Sequence, residues 1–244
     1  MVSLRDVTKV YGAGPSAVLA LDRVSLEVRR GEFLCIVGAS GCGKSTMLSL
    51  VAGLDDATDG TVDVRGRTAF MFQEAALLPW RSAVQNVELA LKLRGVPRKE
   101  RRDLALEFLS VVRLADFADK APHELSGGMR QRVSLARALA QDAEILLMDE
   151  PFGALDAITR DILHDEIEKV AQERGLTVML VTHNVREASR LGDRIVLLSS
   201  RPGRVAAEFD VEIPHPRRME SPEVTALAGR VTVGLRQEVR RHAH

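Results

Sequence analysis

The chain has 244 residues, of which 45% are hydrophobic and 28% are charged, and its formal net charge is zero. This length supports a full core, and the balanced charge argues against a general nucleic-acid-binding protein, which usually carries a basic excess. No apolar run approaches the length of a membrane span, and the charged start at residues 1–6 is unlike a signal peptide, so we expect a cytosolic protein.

The first part of the chain predicts strands on both sides of a Gly/Pro-rich loop at residues 12–15. Polar and apolar residues alternate before and after this loop, which predicts an antiparallel sheet with strands at 3–8 and 24–28. Further along, short strands are expected at 60–64 and 68–72.

The most informative stretch lies between a predicted buried strand at 33–37 and a predicted helix at 44–52. It fits the phosphate-loop pattern G-x-x-x-x-G-K-[ST] and consists of Gly38, Ala39, Ser40, Gly41, Cys42, Gly43, Lys44, Ser45 and Thr46. Such a turn offers backbone N–H groups and a helix N-terminus to a triphosphate. Lys44 has the reach to contact the β- and γ-phosphates, and the Ser45 hydroxyl suits Mg²⁺. The sequence therefore predicts a nucleoside triphosphate site.

Residues 82–141 have a helical pattern, and a second candidate anion site lies near their end. Ser126 is a natural helix N-cap, and Gly127 and Gly128 open the start of the helix that follows. A hydroxyl, free amides and the positive end of a helix together suit a phosphate group. Either the chain binds two phosphate groups itself, or it lends this second site to a partner.

Two adjacent acids follow the next apolar strand, which is predicted at 145–149. A carboxylate at the end of such a strand is typical of the residue that acts on the Mg²⁺ of a bound nucleotide, so we expect Asp149 there, acting mainly through water. Glu150 lies one residue beyond the strand, where it can polarise an attacking water.

The remaining elements alternate between helix and strand, as in α/β proteins. Helices are expected at 156–174 and 185–192, and strands at 177–182 and 194–198. A turn at 201–204 and an amphipathic tail helix from 221 onward follow.

Cysteines and histidines predict no disulfide framework and no metal site. Cys35 falls in a strand, and Cys42 is either a small filler of the phosphate loop or an oxidisable thiol. No two histidines have ligand spacing, and apart from His183 we interpret them as surface residues: His123, His164, His215, His242 and His244.

Taken in order, these motifs resemble the ATP-binding cassette family, the motor subunits of ABC transporters, over roughly residues 2 to 210. The resemblance implies a P-loop NTPase (RecA-like) α/β fold with a mixed sheet, an N-terminal antiparallel β-subdomain and an inserted helical subdomain. The expected boundaries are 1–81 with 142–210 for the core, 82–141 for the helical subdomain with its signature motif, and 211–244 for a helical tail.

The same resemblance implies roles for three further residues. Gln73 would sense Mg²⁺ and the attacking water, Tyr11 would stack on adenine, and His183 would contact the γ-phosphate. Each has a structural alternative: Gln73 as a solvated strand end, Tyr11 as a surface residue and His183 as a helix cap. Residues 154–156 match the loop that crosses to the other subunit in this family.

In activity, the resemblance implies Mg²⁺-dependent ATP hydrolysis in a head-to-tail homodimer, where Ser126 and Gly128 of one chain close on the nucleotide of the other. The resemblance also implies that the cassette drives separate integral membrane permease subunits. An extracytoplasmic solute-binding protein would be an indirect partner, acting through those subunits. We therefore expect a peripheral protein on the cytoplasmic side of the membrane. The segment 72–80 is the predicted docking surface. Trp80 is expected to contact the partner, whereas Leu77 is equally compatible with packing inside the helical subdomain.

Segments 72–80 and 199–204 look similar to the importer branch for nitrate, taurine and alkanesulfonates. The alternatives are an ABC-superfamily ATPase that does not act in transport, a motor for another importer cargo, and an exporter. Chromosome-structure ATPases need a long coiled coil between the two nucleotide motifs, and the interval here has no sustained heptads. Translation-associated relatives usually hold two cassettes, whereas one is seen here. A small-molecule kinase would need an acceptor site and would have no use for the second helix-start motif.

Overall fold

The computed structural model describes residues 1–241, which form two compact units: residues 1–66 together with the chain from 177 onward, and residues 67–176. In chain order the strands are β1 (Val2–Tyr11), β2 (Val18–Val28), β3 (Phe33–Val37), β4 (Asp59–Val64), β5 (Thr68–Met71), β6 (Ile145–Asp149), β7 (Thr177–Thr182), β8 (Arg194–Leu198) and β9 (Val205–Asp210). The α-helices are α1 (Lys44–Val51), α2 (Ala83–Leu93), α3 (Arg98–Val111), α4 (Gly127–Leu139), α5 (Ala157–Arg174), α6 (Val185–Leu191) and α7 (Pro222–Arg241).

The first unit contains an antiparallel sheet with strand order β2-β1-β4. Along β1, the side chains of Val2, Leu4 and Val7 are buried while their neighbours are more exposed, as expected for a strand with one covered face. This sheet is the predicted N-terminal antiparallel sheet, with β4 as a third strand.

A second group of strands in the first unit has the order β7-β3-β8-β9. β3 runs parallel to β7 and β8, whereas β9 is antiparallel to β8, so the strands are mixed in direction. Val37 pairs with both Thr182 and Leu197, which means that three parallel strands end at one edge. In open α/β sheets this carboxyl edge is where ligands bind.

Helix α7 covers part of the first unit with its apolar side. Val224, Leu227 and Val231 are buried on one face, and α7 packs against α6, β8 and β9. The prediction of an amphipathic tail helix is therefore confirmed within the described residues.

The second unit combines a parallel pair, β5 and β6, with helices α2 to α5. Met71 pairs with Met148, so these two strands also end side by side. Helix α2 begins with a capping box, in which Ser82 accepts a hydrogen bond from the Gln85 backbone and the Gln85 side chain accepts one from Ser82. Helices α2, α3 and α4 pack on one another, and the predicted helical region 82–141 lies entirely within this unit.

The sequence prediction missed one strand and placed one histidine wrongly. β9 was not expected, although it pairs with β8 along its whole length. His164 is fully buried, with its ring in edge contact with Phe152 at 4.7 Å between centroids, so its interpretation as a surface residue is wrong. Its position on α5 turns it toward the core. His123 and His215 are exposed as expected, while His242 and His244 lie outside the described residues.

Within residues 1–241, no helix combines the length and the apolar character needed to cross a membrane.

Candidate functional site

The phosphate loop leaves the carboxyl edge of β3 and leads directly into α1. Gly41 and Gly43 have φ angles of 75° and 94°, a region that side chains with a Cβ rarely adopt. At Gly43 space is also short, because a Cβ there would lie 2.6 Å from Leu21 Cδ2 and 2.8 Å from the Ala20 carbonyl oxygen. The backbone therefore makes a tight curve that only glycine permits at these points.

Lys44 folds its side chain back onto this curve. Its Nζ donates hydrogen bonds to the carbonyl oxygens of Gly38 at 2.9 Å and Ala39 at 3.0 Å, and the side chain is largely buried. The next residue, Ser45, is exposed at the first turn of α1. A buried ammonium and an exposed hydroxyl thus stand side by side where a triphosphate is expected.

Cys42 fills the inside of the loop. Its Sγ lies 3.9 Å from Lys44 Nζ, and a Cβ at Gly38 would come within 2.6 Å of that sulfur. Burial raises the pKa of the Cys42 thiol, and burial raises that of Cys35 in β3 still further above its usual range. Both thiols are therefore held in the neutral, unreactive form, which favours the interpretation of Cys42 as a filler.

His183 leaves the same edge of the first unit as the phosphate loop. Because Val37 pairs with Thr182, Gly38 and His183 are both the first residues after paired strand ends. The His183 side chain is exposed. The cap of α6 is Asn184, whose Oδ1 accepts from the backbone N–H groups of Arg186 and Glu187, so the alternative in which His183 caps this helix is wrong.

Tyr11 ends β1 with its ring held by two neighbours that sequence reasoning did not identify. Its hydroxyl donates to Asp55 Oδ2 at 2.9 Å, and Lys9 Nζ lies 4.9 Å from the ring centroid. Hydrogen bonds from Lys9 and then from Tyr11 lower the pKa of the Asp55 carboxyl. Tyr11 as a whole is 40% exposed, so its ring is oriented by these contacts and the residue is still accessible.

In the second unit, the expected metal and catalytic residues gather at the ends of β5 and β6. Since Met71 pairs with Met148, Gln73 and Glu150 each lie two residues beyond paired positions. Asp149 is the last residue of β6 and is buried, whereas Glu150 is partly exposed and has a positive φ of 46°. The structure thus brings these three residues to one edge of this unit.

The second candidate anion site is the start of α4. Ser126 is the N-cap, and its Oγ accepts a hydrogen bond from the Met129 backbone N–H at 3.1 Å. A Cβ at Gly128 would lie 2.9 Å from Leu155 Cδ2, so this glycine permits close packing against the segment 154–156. Ser126 and Gly127 are exposed, which leaves the helix start accessible.

Two side chains of α4 hold the segment that follows β5, and no pattern in the sequence pointed to them. Gln131 donates to the Gln73 carbonyl oxygen, and Arg137 donates to the carbonyl oxygens of Ala75 and Ala76 at 3.0 and 2.8 Å. The helix that begins at Ser126 is therefore tied to the backbone around Gln73.

Beyond this tie, the segment 72–80 presents apolar side chains to solvent. Trp80 is 75% exposed and Phe72 is also exposed, while Leu77 is half-buried. Tryptophan is highly buried on average, so a side chain as exposed as that of Trp80 is uncommon.

Residues 21–153 match the protein family described as ABC transporter. The chain belongs to this family. As an ABC cassette it binds ATP, and ATP hydrolysis is its general activity.

Two relatives of the cassette are similar over most of their length. The nitrate import ATP-binding protein NrtD of Synechocystis sp. is 43% identical over 87% of this chain and 83% of its own. The taurine import ATP-binding protein TauB of Rhizobium johnstonii is 44% identical over 93% of this chain and 90% of its own.

Among solved structures, the dimeric post-hydrolysis state of the ATP-binding cassette MJ0796, bound to ADP and phosphate, is 38% identical to this chain. The TM-score is 0.80, and the match covers 88% of this chain and all of that one. The P-loop NTPase fold class predicted from the sequence is therefore confirmed.

Proposed function

We propose that this cassette is the ATP-hydrolysing motor subunit of an importer for a small solute such as a sulfonate, taurine or a nitrate-like anion. The observation that carries the proposal is the identity of 43% and 44% with ATP-binding proteins named for nitrate and taurine import. Similarity of this extent favours the same kind of machine, while the cargo itself is recognised by other subunits.

In this proposal the loop from Gly38 to Thr46 holds the triphosphate. The amides of the curve and the N-terminus of α1 donate to phosphate oxygens, and Lys44 exchanges its carbonyl partners Gly38 and Ala39 for the β- and γ-phosphates. The exposed, oriented ring of Tyr11 stacks on adenine.

Magnesium fits the side chains that the sequence offers. Among residues 1–241, no group of three or more His, Cys, Asp and Glu side chains is placed to hold a metal ion alone. The candidate ligands are instead the Ser45 hydroxyl, the Gln73 amide and the Asp149 carboxylate, which are the hard oxygen donors that Mg²⁺ prefers beside phosphates. When bound, the ion would neutralise charge on the phosphate oxygens.

Three side chains would act on the attacking water. We assign Glu150 as the general base or water-positioning group, His183 as a contact to the γ-phosphate that orients the water, and Gln73 as the group that senses both water and metal. Asp149 would act on the metal mainly through water.

The proposed working form is a head-to-tail homodimer. Ser126, Gly127 and Gly128 of one copy would close on the nucleotide held by the other, because a capped helix start with free amides suits a phosphate. Support comes from the exposure of this helix start and from the dimeric cassette to which the chain is similar. ATP would then bridge the copies, and hydrolysis would release them.

The proposed load is a pair of integral membrane permease subunits, with an extracytoplasmic solute-binding protein acting through them. The exposed Trp80 supports docking of a short permease helix on segment 72–80. The cassette would accordingly work as a peripheral protein at the cytoplasmic face of the membrane, with no role for nucleic acid.

The test is reconstitution with membrane permease subunits that co-purify with this chain. The purified complex is placed in lipid vesicles, and ATP hydrolysis is measured with the solute-binding protein and nitrate, taurine, an alkanesulfonate or a pyrimidine precursor. We expect one of these classes to stimulate hydrolysis and to accumulate inside the vesicles, and the Glu150→Gln complex to do neither. Solute movement in the opposite direction, or hydrolysis that no permease affects, would contradict the importer assignment.

A further inference from the structure

The turn between β8 and β9, residues 199–204, lies against the phosphate loop. Leu197 pairs with Val37, so β8 ends beside the strand that leads into the loop. A Cβ at Gly38 would lie only 3.1 Å from the carbonyl oxygen of Leu198. The turn therefore starts in contact with the first residue of the loop.

Internal hydrogen bonds make this turn well defined. Ser199 Oγ donates to the Pro202 carbonyl oxygen at 2.8 Å and accepts from the Arg204 backbone N–H at 3.0 Å. The Ser199 backbone N–H also donates to the Arg204 carbonyl oxygen at 2.9 Å. The six residues thus close into a compact loop with a fixed backbone.

Gly203 fastens the turn to β2 and to the phosphate loop. Its N–H donates to the Ala20 carbonyl oxygen at 2.9 Å, and its own carbonyl accepts from the Asp22 N–H at 3.0 Å. A Cβ at Gly203 would lie 2.2 Å from the carbonyl oxygen of Cys42, so the two backbones touch with no space between them. Arg204 adds an ion pair with Asp22.

Arg201 reaches from this fixed turn to the outer side of the phosphate loop. Its Nε donates to the Gly41 carbonyl oxygen at 3.4 Å, and Nη2 lies 3.3 Å from the place that a Cβ on Gly41 would occupy. In a trans peptide the carbonyl and the following N–H point in opposite directions. The Cys42 N–H accordingly points to the inner side, where it donates to the Ala39 carbonyl oxygen at 3.3 Å.

We propose that Arg201 is a positioning residue of the nucleotide site, which keeps the Gly41 carbonyl on the outer side of the loop and the Cys42 N–H on the inner, phosphate-binding side. Gly41 needs such a restraint, because a glycine with φ of 75° has many other conformations available. This inference rests on the nucleotide-binding role proposed above for the loop.

Such a role makes a specific kinetic prediction. In this proposal every nucleotide that places a phosphate in the loop would use the Cys42 N–H, so loss of Arg201 would weaken the binding of ADP and ATP to a similar degree. The attacking water is handled by other residues, so the rate at saturating ATP should change little. The expected signature is a higher KM with a nearly constant kcat.

The experiment measures binding of a fluorescent ADP analogue, and competition by ADP and ATP, for wild type, Arg201→Ala, Arg201→Lys and the control Arg30→Ala. Arg30 is an exposed arginine on the turn before β3, so this control removes the same charge elsewhere in the same unit. For Arg201→Ala we expect about a three- to tenfold weaker affinity for both nucleotides, the range of one modest hydrogen bond. Arg201→Lys should recover part of the loss, and the thermal midpoint without nucleotide should be unchanged.

The outcomes distinguish the nucleotide-binding role of the loop from the positioning role of Arg201. If wild type fails to bind the ADP analogue, the nucleotide-binding role itself is wrong. If wild type binds and Arg201→Ala binds equally well, only the positioning role is overturned. The positioning role is also overturned if Arg30→Ala reproduces the loss, or if kcat falls while KM stays constant.

Discussion

Glu150 has a backbone conformation that is uncommon for a residue with a side chain. Its φ of 46° lies in the left-handed region, which costs about 1–2 kcal/mol for a residue other than glycine. Strained residues of this kind cluster at functional sites, where the surrounding structure holds them. Among residues 1–241, positive φ also occurs at five other non-glycine residues, so the assignment of Glu150 to the attacking water rests on its place directly after Asp149 and not on strain alone.

Replacement of Glu150 by glutamine should therefore stop hydrolysis and leave binding intact. The amide keeps the size of the side chain and cannot accept the proton of the water, so we expect a fall in kcat of about 100-fold or more with an unchanged nucleotide Kd. Size-exclusion chromatography with ATP should show a trapped dimer. The matched control is Glu144→Gln, an exposed glutamate just before β6. Rapid turnover by Glu150→Gln would disprove the assignment.

The carboxylate of Asp55 accepts the hydrogen bond that orients the Tyr11 ring, so this contact depends on the charge of Asp55 and therefore on pH. Its folded-state pKa lies below the usual 3.8, because it accepts hydrogen bonds from Lys9 and Tyr11. A depressed carboxyl pKa contributes stability above the unfolded-state pKa, and that contribution is lost as the pH falls through the folded-state pKa.

Asp55→Asn should accordingly lower the thermal midpoint at pH 7, and the difference from wild type should shrink as the pH is lowered below about 4. The control is Asp56→Asn, an exposed neighbour on the same loop. A difference that is constant from pH 7 to pH 3, or equal for both variants, would show that the Asp55 charge is not responsible.

At the scale of elements, the strands at the centre of the fold were predictable residue by residue. β3, β6, β7 and β8 agree with the predicted bounds, because each is a continuous apolar run that ends at glycine, acidic or polar residues. β9 was missed because it is a half-exposed strand whose pairing with β8 depends on the turn between them. The local sequence pattern predicts a strand poorly when the strand is stabilised mainly by pairing with another strand, as β9 is by β8.

Helix α4 joins two segments with proposed functions, and Arg137 ties it to the segment around Gln73 through two hydrogen bonds. The partly buried guanidinium of Arg137 donates these hydrogen bonds to the carbonyl oxygens of Ala75 and Ala76. Burial lowers the pKa of Arg137. Arg137→Ala should reduce the free energy of unfolding by about 1–3 kcal/mol, since two backbone carbonyls lose their donor. It should also lower hydrolysis several-fold, because Gln73 is less well positioned.

Urea unfolding and steady-state hydrolysis measure these two effects. Arg137→Lys keeps the charge but carries its donors on a single nitrogen, so it should lie between Arg137→Ala and wild type in both assays. Equal hydrolysis by all three proteins would show that α4 does not position Gln73.

At the scale of the whole molecule, the proposal that two copies share a nucleotide can be tested by a substitution at the start of α4. Ser126→Arg places a bulky cation at the helix start proposed to face the partner's ATP. We expect each copy to bind ATP with unchanged affinity, no ATP-dependent dimer in size-exclusion chromatography, and little hydrolysis. This substitution also removes an N-cap, a loss of about 1 kcal/mol.

Ser126→Asn separates the two effects, because asparagine keeps the capping oxygen. If dimer formation matters, the asparagine variant should retain dimer and activity far better than the arginine variant. Full hydrolysis by Ser126→Arg would contradict the shared site.

The sequence patterns predicted the motifs but not the distant residues that hydrogen-bond to them. The phosphate loop, Asp149, Glu150 and the Ser126 cap are local patterns, each readable within a few residues. Arg201 beside Gly41, and Gln131 beside Gln73, join residues far apart in the chain, and no local pattern signals them. The burial of His164 was missed for the same reason, since it depends on what packs against α5.

The burial of both cysteines has a practical consequence for following the motion of the cassette. Cys35 and Cys42 are closed to solvent and their raised pKa values keep them protonated, so maleimide dyes should react with them slowly. A cysteine introduced by Ile158→Cys, at a site that is 76% exposed, would then be labelled selectively. Energy transfer between two copies carrying different dyes could time the approach of one cassette to another in an otherwise unaltered chain.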